Sequence, residues 1–383
     1  MIMLFILLLL IHNSYGFNFF RINKNSITNL KLKNTDYKYI NGRLLFPGMN
    51  GKNSWDTDIV SYPVVLPPNK NNKKWLMYYY GFDGRNFNRN LTSVKKLQIG
   101  SNGFMESKDG LVWNKNKEII KSNSSEFSYD NVQIGISDVL YHNNNYIMHY
   151  FGACEEKILG YYGLRMRCLV AKSNNNINWY KYKVPTINIG KENEWDHIFT
   201  TFPRITKIEP DNSKSKWLIT YHSAKLVNNE AYFYIGGIIS NNKYGLGKKY
   251  KLGIILKPGN KGSWDDGGVG IRHIIHFNNI MYMLYEGKKI NEECYAIGLA
   301  YSINNGITWI KIDKGTGGPI FEPRFNKDAW DNYSVRSPYI VKTNDNKILM
   351  YYVGYGINKN GGQTTAIGCA KCINLNLTMW ARV

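Results

Sequence analysis

One sequence pattern occurs five times along this chain of 383 residues. Each copy begins with an aromatic residue followed by Asp, and the aromatic residues stand at positions 55, 129, 195, 264 and 330. A short apolar segment and an aromatic segment come next, as in "VSYPVVL" and "WLMYYYG" of the first copy. A repeat of this length predicts one supersecondary unit per copy, with neighbouring units packed to share a core.

The second half of each copy also repeats. A segment of small residues ends in Ser and is followed by a polar turn and a Trp, as in "AIGLAYSINNGITW" of the fourth copy, although the third copy lacks the Trp. The segments are β-branched or aromatic and show almost no helical period. Four successive antiparallel strands repeated radially describe a propeller blade, so the sequence predicts an all-β fold, a five-bladed β-propeller with four-stranded antiparallel blades.

Two further features of the repeats predict structural roles. The segment before the last copy resembles the one before the first, so we expect Arg43 to Phe46 to add an outer strand to the blade that contains Trp380 and to close the ring. We expect the repeated Trp to pack between blades and its Asp to cap the turn before the inner strand.

The first residues are typical of a targeting leader. Residues 2 to 11, "IMLFILLLLI", are too short to span a bilayer and predict a signal peptide over residues 1–16. Residues 17–38 are basic and rich in Asn and Lys, which fits either a disordered spacer or a transit peptide for a secondary plastid. The propeller domain is expected over 39–383, in a protein of the secretory pathway that is secreted, vesicular or, by the second alternative, plastidial.

Charge and cysteine content limit the possible partners. The net charge is +21, yet the lysines are scattered over loops, so we expect no specific nucleic-acid partner. Cys154 and Cys168 flank the hairpin of the second copy and either bridge it or stay reduced. Because the sequence contains no Gly-rich phosphate loop, zinc-spaced Cys/His set or Gly-x-Ser-x-Gly elbow, we expect no cofactor and no metal. The protein is expected to be a monomer.

The repeat motifs resemble a known superfamily. The Trp-Asp, Tyr-Tyr-x-Gly and Gly-x-x-Trp pattern over about residues 40 to 383 is similar to the five-bladed propellers of arabinanases, levansucrases and invertases, glycoside hydrolase families 43 and 32. "SINNGITW" also resembles the Asp-box of the six-bladed sialidases, a motif that staples a blade turn. The first resemblance implies three inner-strand carboxylates: an Asp before Pro in blades 1 and 2 and a Glu two residues before Pro in blade 3.

This sequence departs from that set. The matching positions are Tyr62 before Pro63, Ser137 before Asp138, and Thr201 two residues before Pro203, and none is acidic. Glycoside hydrolysis normally needs one carboxyl to protonate the leaving oxygen and another to attack or to activate water. Either the register differs by a residue, the chemistry differs, or the fold has lost catalysis.

Three other acids are candidates for catalysis. Asp138 takes the Pro position of the second repeat and is either a channel carboxylate or a turn residue. Glu286 ends a strand where the other copies carry mostly aromatic residues, which fits a pocket or a rim ion pair, and Asp58 precedes the first inner strand. If the protein is catalytic, we expect Asp138 to act as acid/base and Glu286 to be its partner.

Several basic and aromatic residues are candidates for substrate binding. Arg204 follows Pro203, Arg272 takes the Pro position of blade 4 beside His273, and Arg336 precedes Pro338 by two residues. Converging arginines would form a cationic funnel for a carboxylate or phosphate. Alternatively, each pairs with a nearby Asp in the fold.

Tyr62 and Phe202 are the rings expected to face a ligand. The sequence therefore predicts a glycoside-hydrolase-like propeller that binds, and if catalytic hydrolyses, a neutral or anionic carbohydrate in its channel. The alternative is a non-catalytic propeller that serves as a protein-interaction or adhesion module.

Overall fold

The structure is a computed structural model that describes residues 42–69, 72–83, 100–122, 128–228, 230–312, 317–357 and 362–383. The signal peptide and the basic spacer predicted from the sequence lie outside these ranges. Within them, every regular element is a β-strand, and the sheets are antiparallel apart from one parallel bridge. No helix in this part of the chain is long and apolar enough to cross a membrane.

The repeats fold into four-stranded antiparallel sheets, which we call blades 1 to 5, and an additional strand precedes them. The bounds for that strand and the first two blades are β1 Arg43–Leu45; β2 Ile59–Leu66, β3 Trp75–Phe82, β4 Ser101–Ser107 and β5 Trp113–Ile120; then β6 Gln133–His142, β7 Asn145–Ala153, a hairpin of β8 Lys157–Ile158 and β9 Tyr161–Tyr162, β10 Met166–Ser173 and β11 Tyr180–Lys181. For the other three blades they are β12 Thr201–Lys207, β13 Trp217–Val227, β14 Glu230–Ser240 and β15 Lys249–Leu256; β16 Gly268–Phe277, β17 Ile280–Lys288, β18 Tyr295–Ser302 and β19 Ile310–Ile312; β20 Ser334–Lys342, β21 Ile348–Ile357, β22 Gln363–Cys372 and β23 Trp380–Arg382.

The first strand of each blade lies at the centre of a closed ring. Strand β2 contacts β6 on one side and β20 on the other, while β12 and β16 complete the circle. Blades 3 and 4 are joined by the parallel bridge between Phe233 and Gly268 and are otherwise separate sheets. The predicted all-β propeller of antiparallel blades is confirmed.

The N-terminal strand closes the ring as predicted. Strand β1 pairs with β22, opposing Arg43 to Gly368 and Leu45 to Ile367, and β23 pairs with the other end of β22. The outer edge of blade 5 is therefore shared by two segments from opposite ends of the described chain. This composite edge leaves no long unpaired strand where the first and last blades meet.

The repeated Asp joins the segment before the inner strand to other parts of its blade. Asp196 is buried, accepts a hydrogen bond from the Tyr221 hydroxyl at 2.7 Å and forms an ion pair with Lys251 of the outer strand at 2.9 Å. The same arrangement recurs in the other blades, with Tyr79 and Asn50 on Asp56, Tyr150 and Lys181 on Asp130, Tyr285 and Lys311 on Asp265, and Tyr352 and Arg382 on Asp331. We call this arrangement the aspartate staple.

The repeated Trp packs on the staple tyrosine of its own blade. Trp330 stacks on Tyr352 with centroids 5.7 Å apart, and Trp55 stacks on Tyr79 at 4.9 Å. The ring lies directly over Gly354, where an added Cβ would come within 2.1 Å of Trp330. The Gly at this position of the first and last copies, Gly81 and Gly354, is thus required by the close approach of the indole.

The turn before the outer strand is the Asp-box that the sequence indicated. In blade 1, Asp109 accepts hydrogen bonds from the backbone of Leu111 and Val112, both at 2.8 Å. In blade 4, the Trp309 indole donates to the Gly306 carbonyl at 3.0 Å. These contacts order the turn and provide no reactive group.

The cysteines of the structure are free thiols. Cys154 and Cys168 are both buried, and the bridge between them that the sequence left open is not formed. Cys168 pairs with Phe151 in the ladder, while the Cys154 sulfur contacts Arg167 at 3.4 Å. A hydrogen-bonded thiol therefore takes the place of the disulfide at this hairpin.

The aspartate staple predicts a measurable contribution to stability. Tyr221→Phe removes the hydroxyl that Asp196 accepts, and the loss of a hydrogen bond to a buried charge should lower the free energy of unfolding by about 1 to 3 kcal/mol. Tyr250→Phe on the outer strand of the same blade is the control, because Tyr250 is exposed. Equal urea midpoints for the two variants would contradict the role given to the staple.

The composite edge predicts that β1 is needed for stability. A chain that starts at residue 47 loses the buried side chains of Leu44 and Leu45, and it should be less stable by about 3 kcal/mol or more than a chain that starts at residue 42. Thermal unfolding of the two chains checks this. An unchanged midpoint would mean that β23 alone protects the edge.

Candidate functional site

Each inner strand carries a bulge, and the bulges of blades 1, 3 and 5 lie at the same level of the channel. In blade 1, Ser61 pairs with Tyr80 and Val64 with Tyr78, so Tyr62 and Pro63 together oppose Tyr79. Blades 3 and 5 repeat this with Phe202 and Pro203, and with Ser337 and Pro338. The first bulge residue of these three blades has a positive φ of 56°, 50° and 53°. Such bulges bend the strand and redirect the side chains that follow them.

The bulge corrects the register predicted for blade 2. Gly135 pairs with Phe151 and Asp138 with His149, so the bulge consists of Ile136 and Ser137. Ser137 therefore takes the Pro position, and Asp138 aligns with the residue that follows Pro. The predicted alignment of Asp138 with Pro63 and Pro203 is off by one residue. Ser137 follows the repeated Asp of its copy by seven residues, as Pro63 and Pro203 do in theirs, so the repeat spacing itself places Ser137 at the Pro position.

Four aligned side chains meet at the channel axis, and we call them the axial cluster. Each of them lies on an inner strand and pairs with the second-strand residue that comes just before the staple tyrosine. They are Asp138 of blade 2, Arg204 of blade 3, His273 of blade 4 and Tyr339 of blade 5. The Tyr339 hydroxyl donates to Asp138 at 3.1 Å, and the His273 ring stacks on Tyr339 with centroids 3.9 Å apart. The Arg204 guanidinium carbon lies 4.7 Å from the centre of the same tyrosine ring.

Asp138 is held entirely by protein donors. It accepts hydrogen bonds from the backbone of Ile205 at 2.9 Å and of Val139 at 3.0 Å, besides the one from Tyr339. Burial raises the pKa of this carboxyl, while Arg204 and the three donors act in the opposite direction. Asp138 thus ties blades 2, 3 and 5 together at the axis.

A second pair of charges lies beside the axial cluster. Glu286 is buried and accepts hydrogen bonds from Arg336 at 3.3 Å and from the backbone of Ser337 at 2.9 Å. The Arg336 guanidinium lies 3.7 Å from the centre of the Tyr295 ring. Burial alone would lower the pKa of Arg336, but Glu286 and the neighbouring tyrosines outweigh it and raise the pKa.

Arg272 is buried on the other side of the axis, at the Pro position as predicted. It donates to the Thr220 hydroxyl at 2.9 Å and to the Phe202 carbonyl at 2.5 Å, and it lies 3.5 Å from His222 Nδ1. Burial and the charge of Arg204 lower its pKa to about 9. Arg272 therefore fixes the bulge of blade 3 from the neighbouring blade.

Two histidines stay neutral among these arginines. Burial and the charge of Arg272 hold the pKa of His222 well below its usual 6.5. Burial and Arg204 do the same to His273, whose Nδ1 accepts a hydrogen bond from the Ile340 backbone at 3.2 Å. Since Nδ1 is an acceptor, Nε2 carries the proton of the His273 ring.

Tyr62 and Phe202 pack on each other. Their ring centroids are 4.7 Å apart in an edge-to-face arrangement, and the exposed fractions of the residues are 4% and 1%. Phe202 also packs on Phe151 at 4.7 Å and stacks on His222. These rings form an apolar wall of the channel with little open face. Thr201 is buried beside them, opposite His222 in the ladder.

Asp58 does not join the buried acids. It is exposed in the turn before β2, where its backbone N–H donates to the Phe82 carbonyl at 2.8 Å. The structure thus assembles Asp138, Glu286, Arg204, Arg272, His273 and Arg336 around the axis and leaves Asp58 at the surface. Among the residues that the structure describes, no group of three or more His, Cys, Asp or Glu is arranged to hold a metal ion.

Sequence reasoning missed Tyr339, the residue on which the axial cluster is built. Its signal was available, because Tyr339 follows Pro338 as Arg204 follows Pro203. His222 and Tyr295, which contact Arg272 and Arg336, had no comparable signal in the sequence. The sequence did not determine which side chains of their strands face the channel.

The chain is similar to known proteins in its fold. No family model matches the sequence, and no curated protein matches it. A thermostable family-43 glycoside hydrolase superposes with a TM-score of 0.60 at 15% identity, covering 82% of this chain and 90% of that one. The chain has the fold of the β-propeller glycoside hydrolases.

Two other solved structures share this propeller. A glycosyl hydrolase from Bacteroides ovatus has a TM-score of 0.57 at 16% identity, covering 87% of this chain and 91% of its own. A family 117 glycoside hydrolase produced by Zobellia galactanivorans has a TM-score of 0.54 at 16% identity, with 87% of each chain covered. The likeness therefore extends around the whole ring and is not confined to a few blades.

The neutral histidines predict how the stability of this propeller depends on pH. The folded pKa of His222 lies below its unfolded value, so the unfolded state binds more protons below about pH 6.5 and stability falls as pH falls. When the pH is lowered from about 7.5 to about 5.5, one such histidine should lower the free energy of unfolding by about 1.4 kcal/mol. His222→Asn should remove that part of the loss in urea unfolding at the two pH values.

The matched control is His142→Asn, since His142 is exposed. His142→Asn should remove a smaller part of the pH-dependent loss of unfolding free energy than His222→Asn does. If the two variants have the same effect, or if His222→Asn keeps the full wild-type loss, His222 is not the buried neutral group described here.

Proposed function

We propose that the protein binds a carbohydrate in its propeller channel and does not hydrolyse it by the paired-carboxylate route. The first support is the fold, since the solved structures it resembles are glycoside hydrolases, including a family-43 and a family 117 enzyme. The fold alone does not give an activity, because one propeller can carry many functions. The activity must therefore be inferred from the side chains of the site.

The observation that carries the proposal is the set of side chains at the inner-strand bulges. With the register of the structure, the residues before the Pro position are Tyr62 in blade 1 and Ile136 in blade 2. Thr201 stands two residues before Pro203 in blade 3. These are the positions at which the resemblance implies carboxylates, and none can donate or accept a proton as a carboxyl would.

The two buried carboxylates are poor replacements. A glycosidase acid must pass its proton to the leaving oxygen, and its partner must face the sugar or a water. Both oxygens of Glu286 accept hydrogen bonds from Arg336 and Ser337, and both oxygens of Asp138 are likewise occupied. Their exposed fractions are 2% and 1%, which fits a structural role for each.

We expect a sugar to bind beside Arg336, where the channel residues are less deeply buried. Tyr355 lies near Arg336, is only partly buried, and offers an aromatic ring beside a charged donor. A flat ring packs on the apolar face of a pyranose, while guanidinium groups donate to its oxygens. This combination supports binding without requiring a proton transfer.

The test uses the full chain and a panel of neutral and uronic oligosaccharides. Calorimetry should detect binding of at least one of them, and an assay of new reducing ends should detect no product. Tyr355→Ala should weaken the binding by about tenfold, a loss of about 1.4 kcal/mol. Tyr250→Ala is the control, because Tyr250 is exposed on the outer strand of blade 3.

Two results would overturn this proposal. Release of new reducing ends that is lost in Glu286→Gln or Asp138→Asn would show that the carboxylates are catalytic. Failure of every oligosaccharide to bind, or equal binding by the two Tyr variants, would remove the channel as a sugar site.

The alternative is a protein-interaction module, and one observation favours it. Apolar side chains stand exposed near the turns between third and fourth strands of blades 4 and 5, namely Ile303, Ile307, Ile373, Leu375 and Met379. Exposed apolar side chains that form a contiguous patch mark interaction surfaces. If Ile303→Lys and Leu375→Lys abolish the biological function while Tyr355→Ala does not, this alternative replaces the first proposal.

A further inference from the structure

Arg204 stands out among the buried charges of the channel. Its exposed fraction is 1%, and none of its three side-chain nitrogens has a hydrogen-bond acceptor among the described residues. No carboxylate oxygen of these residues lies within 4.0 Å of it. Its described contact is with the Tyr339 ring, 4.7 Å from the guanidinium carbon.

A buried guanidinium in this condition is unusual. Its five N–H donors form a planar fork that normally binds a carboxylate or phosphate through two bonds, and leaving buried charged donors unpaired costs several kcal/mol. Buried polar groups without a partner are rare in native proteins and call for a physical reason. In a channel, one such reason is a ligand that supplies the acceptors.

The neighbouring arginines differ from Arg204 in this respect. Arg272 donates to Thr220 and to the Phe202 carbonyl, and Arg336 donates to Glu286. Each of these two guanidinium groups has an acceptor from the fold. Arg204 differs because, among the described residues, the fold provides an acceptor for none of its three side-chain nitrogens.

The buried charges around the axis also do not balance. Three arginines, Arg204, Arg272 and Arg336, face two carboxylates, those of Asp138 and Glu286. Glu286 is taken by Arg336, and Asp138 takes its hydrogen bonds from Tyr339 and two backbone groups. The three arginines therefore exceed the two carboxylates by one positive charge, and among the described residues only Arg336 of these three has a carboxylate within ion-pair distance.

The electrostatics of the cluster agree with this geometry. Burial lowers the pKa of Arg204, and Asp138, Tyr339 and Glu286 act against that shift. Arg204 in turn helps to lower the pKa of Arg272 and of His273. A negative charge placed beside Arg204 would act against the lowering of the pKa values of Arg204, Arg272 and His273.

We infer that Arg204 is the anchor of an oxyanion site in the channel, built to bind a carboxylate, sulfate or phosphate group through its guanidinium fork. That the oxyanion is a substituent of an acidic sugar rests on the proposed function. A free inorganic anion has the same chemistry and is the second source. The Tyr339 ring would pack against one face of the Arg204 guanidinium, while the bound group accepts hydrogen bonds from its N–H groups.

The experiment compares matched ligands on the full chain. Galacturonic acid oligomers are titrated against neutral galactose oligomers of the same length by calorimetry, and low millimolar sulfate and phosphate are compared with chloride at equal ionic strength by thermal unfolding. We expect the uronic oligomers to bind at least tenfold more tightly than the neutral ones. Arg204→Met should weaken uronic binding by about 10- to 100-fold, the loss that follows from a charged hydrogen-bonded pair.

Two controls keep the result interpretable if Arg204→Met does not fold. Arg204→Lys keeps the charge and loses the fork, and it should bind the uronic oligomers with intermediate affinity. Lys172→Met removes an exposed charge from blade 2 and should leave the affinity unchanged, which excludes a general effect of net charge. The ligand comparison on the wild-type chain needs no variant at all.

Each outcome decides between the two inferences. Preference for uronic oligomers that depends on Arg204 supports both. Stabilisation by sulfate or phosphate without binding of any oligomer supports the oxyanion site and overturns the carbohydrate proposal. Equal binding of neutral and uronic oligomers without stabilisation by either anion overturns the oxyanion site and leaves the carbohydrate proposal standing, and no response to any ligand overturns both.

Discussion

The rest of the structure depends on the buried aspartate that begins each repeat. It accepts a hydrogen bond from the staple tyrosine hydroxyl and, in four blades, forms an ion pair with a Lys or Arg of the outer strand. These contacts hold the start of the inner strand against the rest of its own blade. The stacked indole and the glycine beneath it complete the same unit. Because the staple fixes where the inner strand starts, it also fixes which residues reach the axis.

The staple and the channel divide the buried charges into two classes. In the staples of blades 2 to 5, a fully buried carboxylate is matched by a partly exposed Lys or Arg, so each blade is neutralised locally. At the axis, the charges come from different blades, and their partners cross the ring, as Tyr339 and Ile205 do to reach Asp138. Breaking a staple therefore disturbs one blade, while a change at the axis affects the packing of several.

The sequence predicted the architecture well and the site less well, and the difference has a physical cause. Repeated motifs such as Trp330-Asp331 and Tyr352 report contacts within one blade, which are close in sequence and appear five times. The axial cluster depends on one added residue per inner strand, and a single residue moves a side chain to the other face. The Pro position follows the repeated Asp by seven residues in all five copies, so this spacing would have placed both Asp138 and Tyr339 correctly, whereas the contacts that cross the ring leave no such pattern in the sequence.

The shared edge of blade 5 has a consequence for how the molecule is made. Arg43 is synthesised early, yet its ladder partner Gly368 is more than 300 residues away in the sequence. Blades 1 to 4 take all their strands from nearby segments and can form as they emerge from the ribosome, whereas β1 must wait, exposed, until β22 is available. Closing so long a loop is slow, so we expect a stalled chain that lacks β22 to leave β1 unpaired and to aggregate more readily than the complete chain.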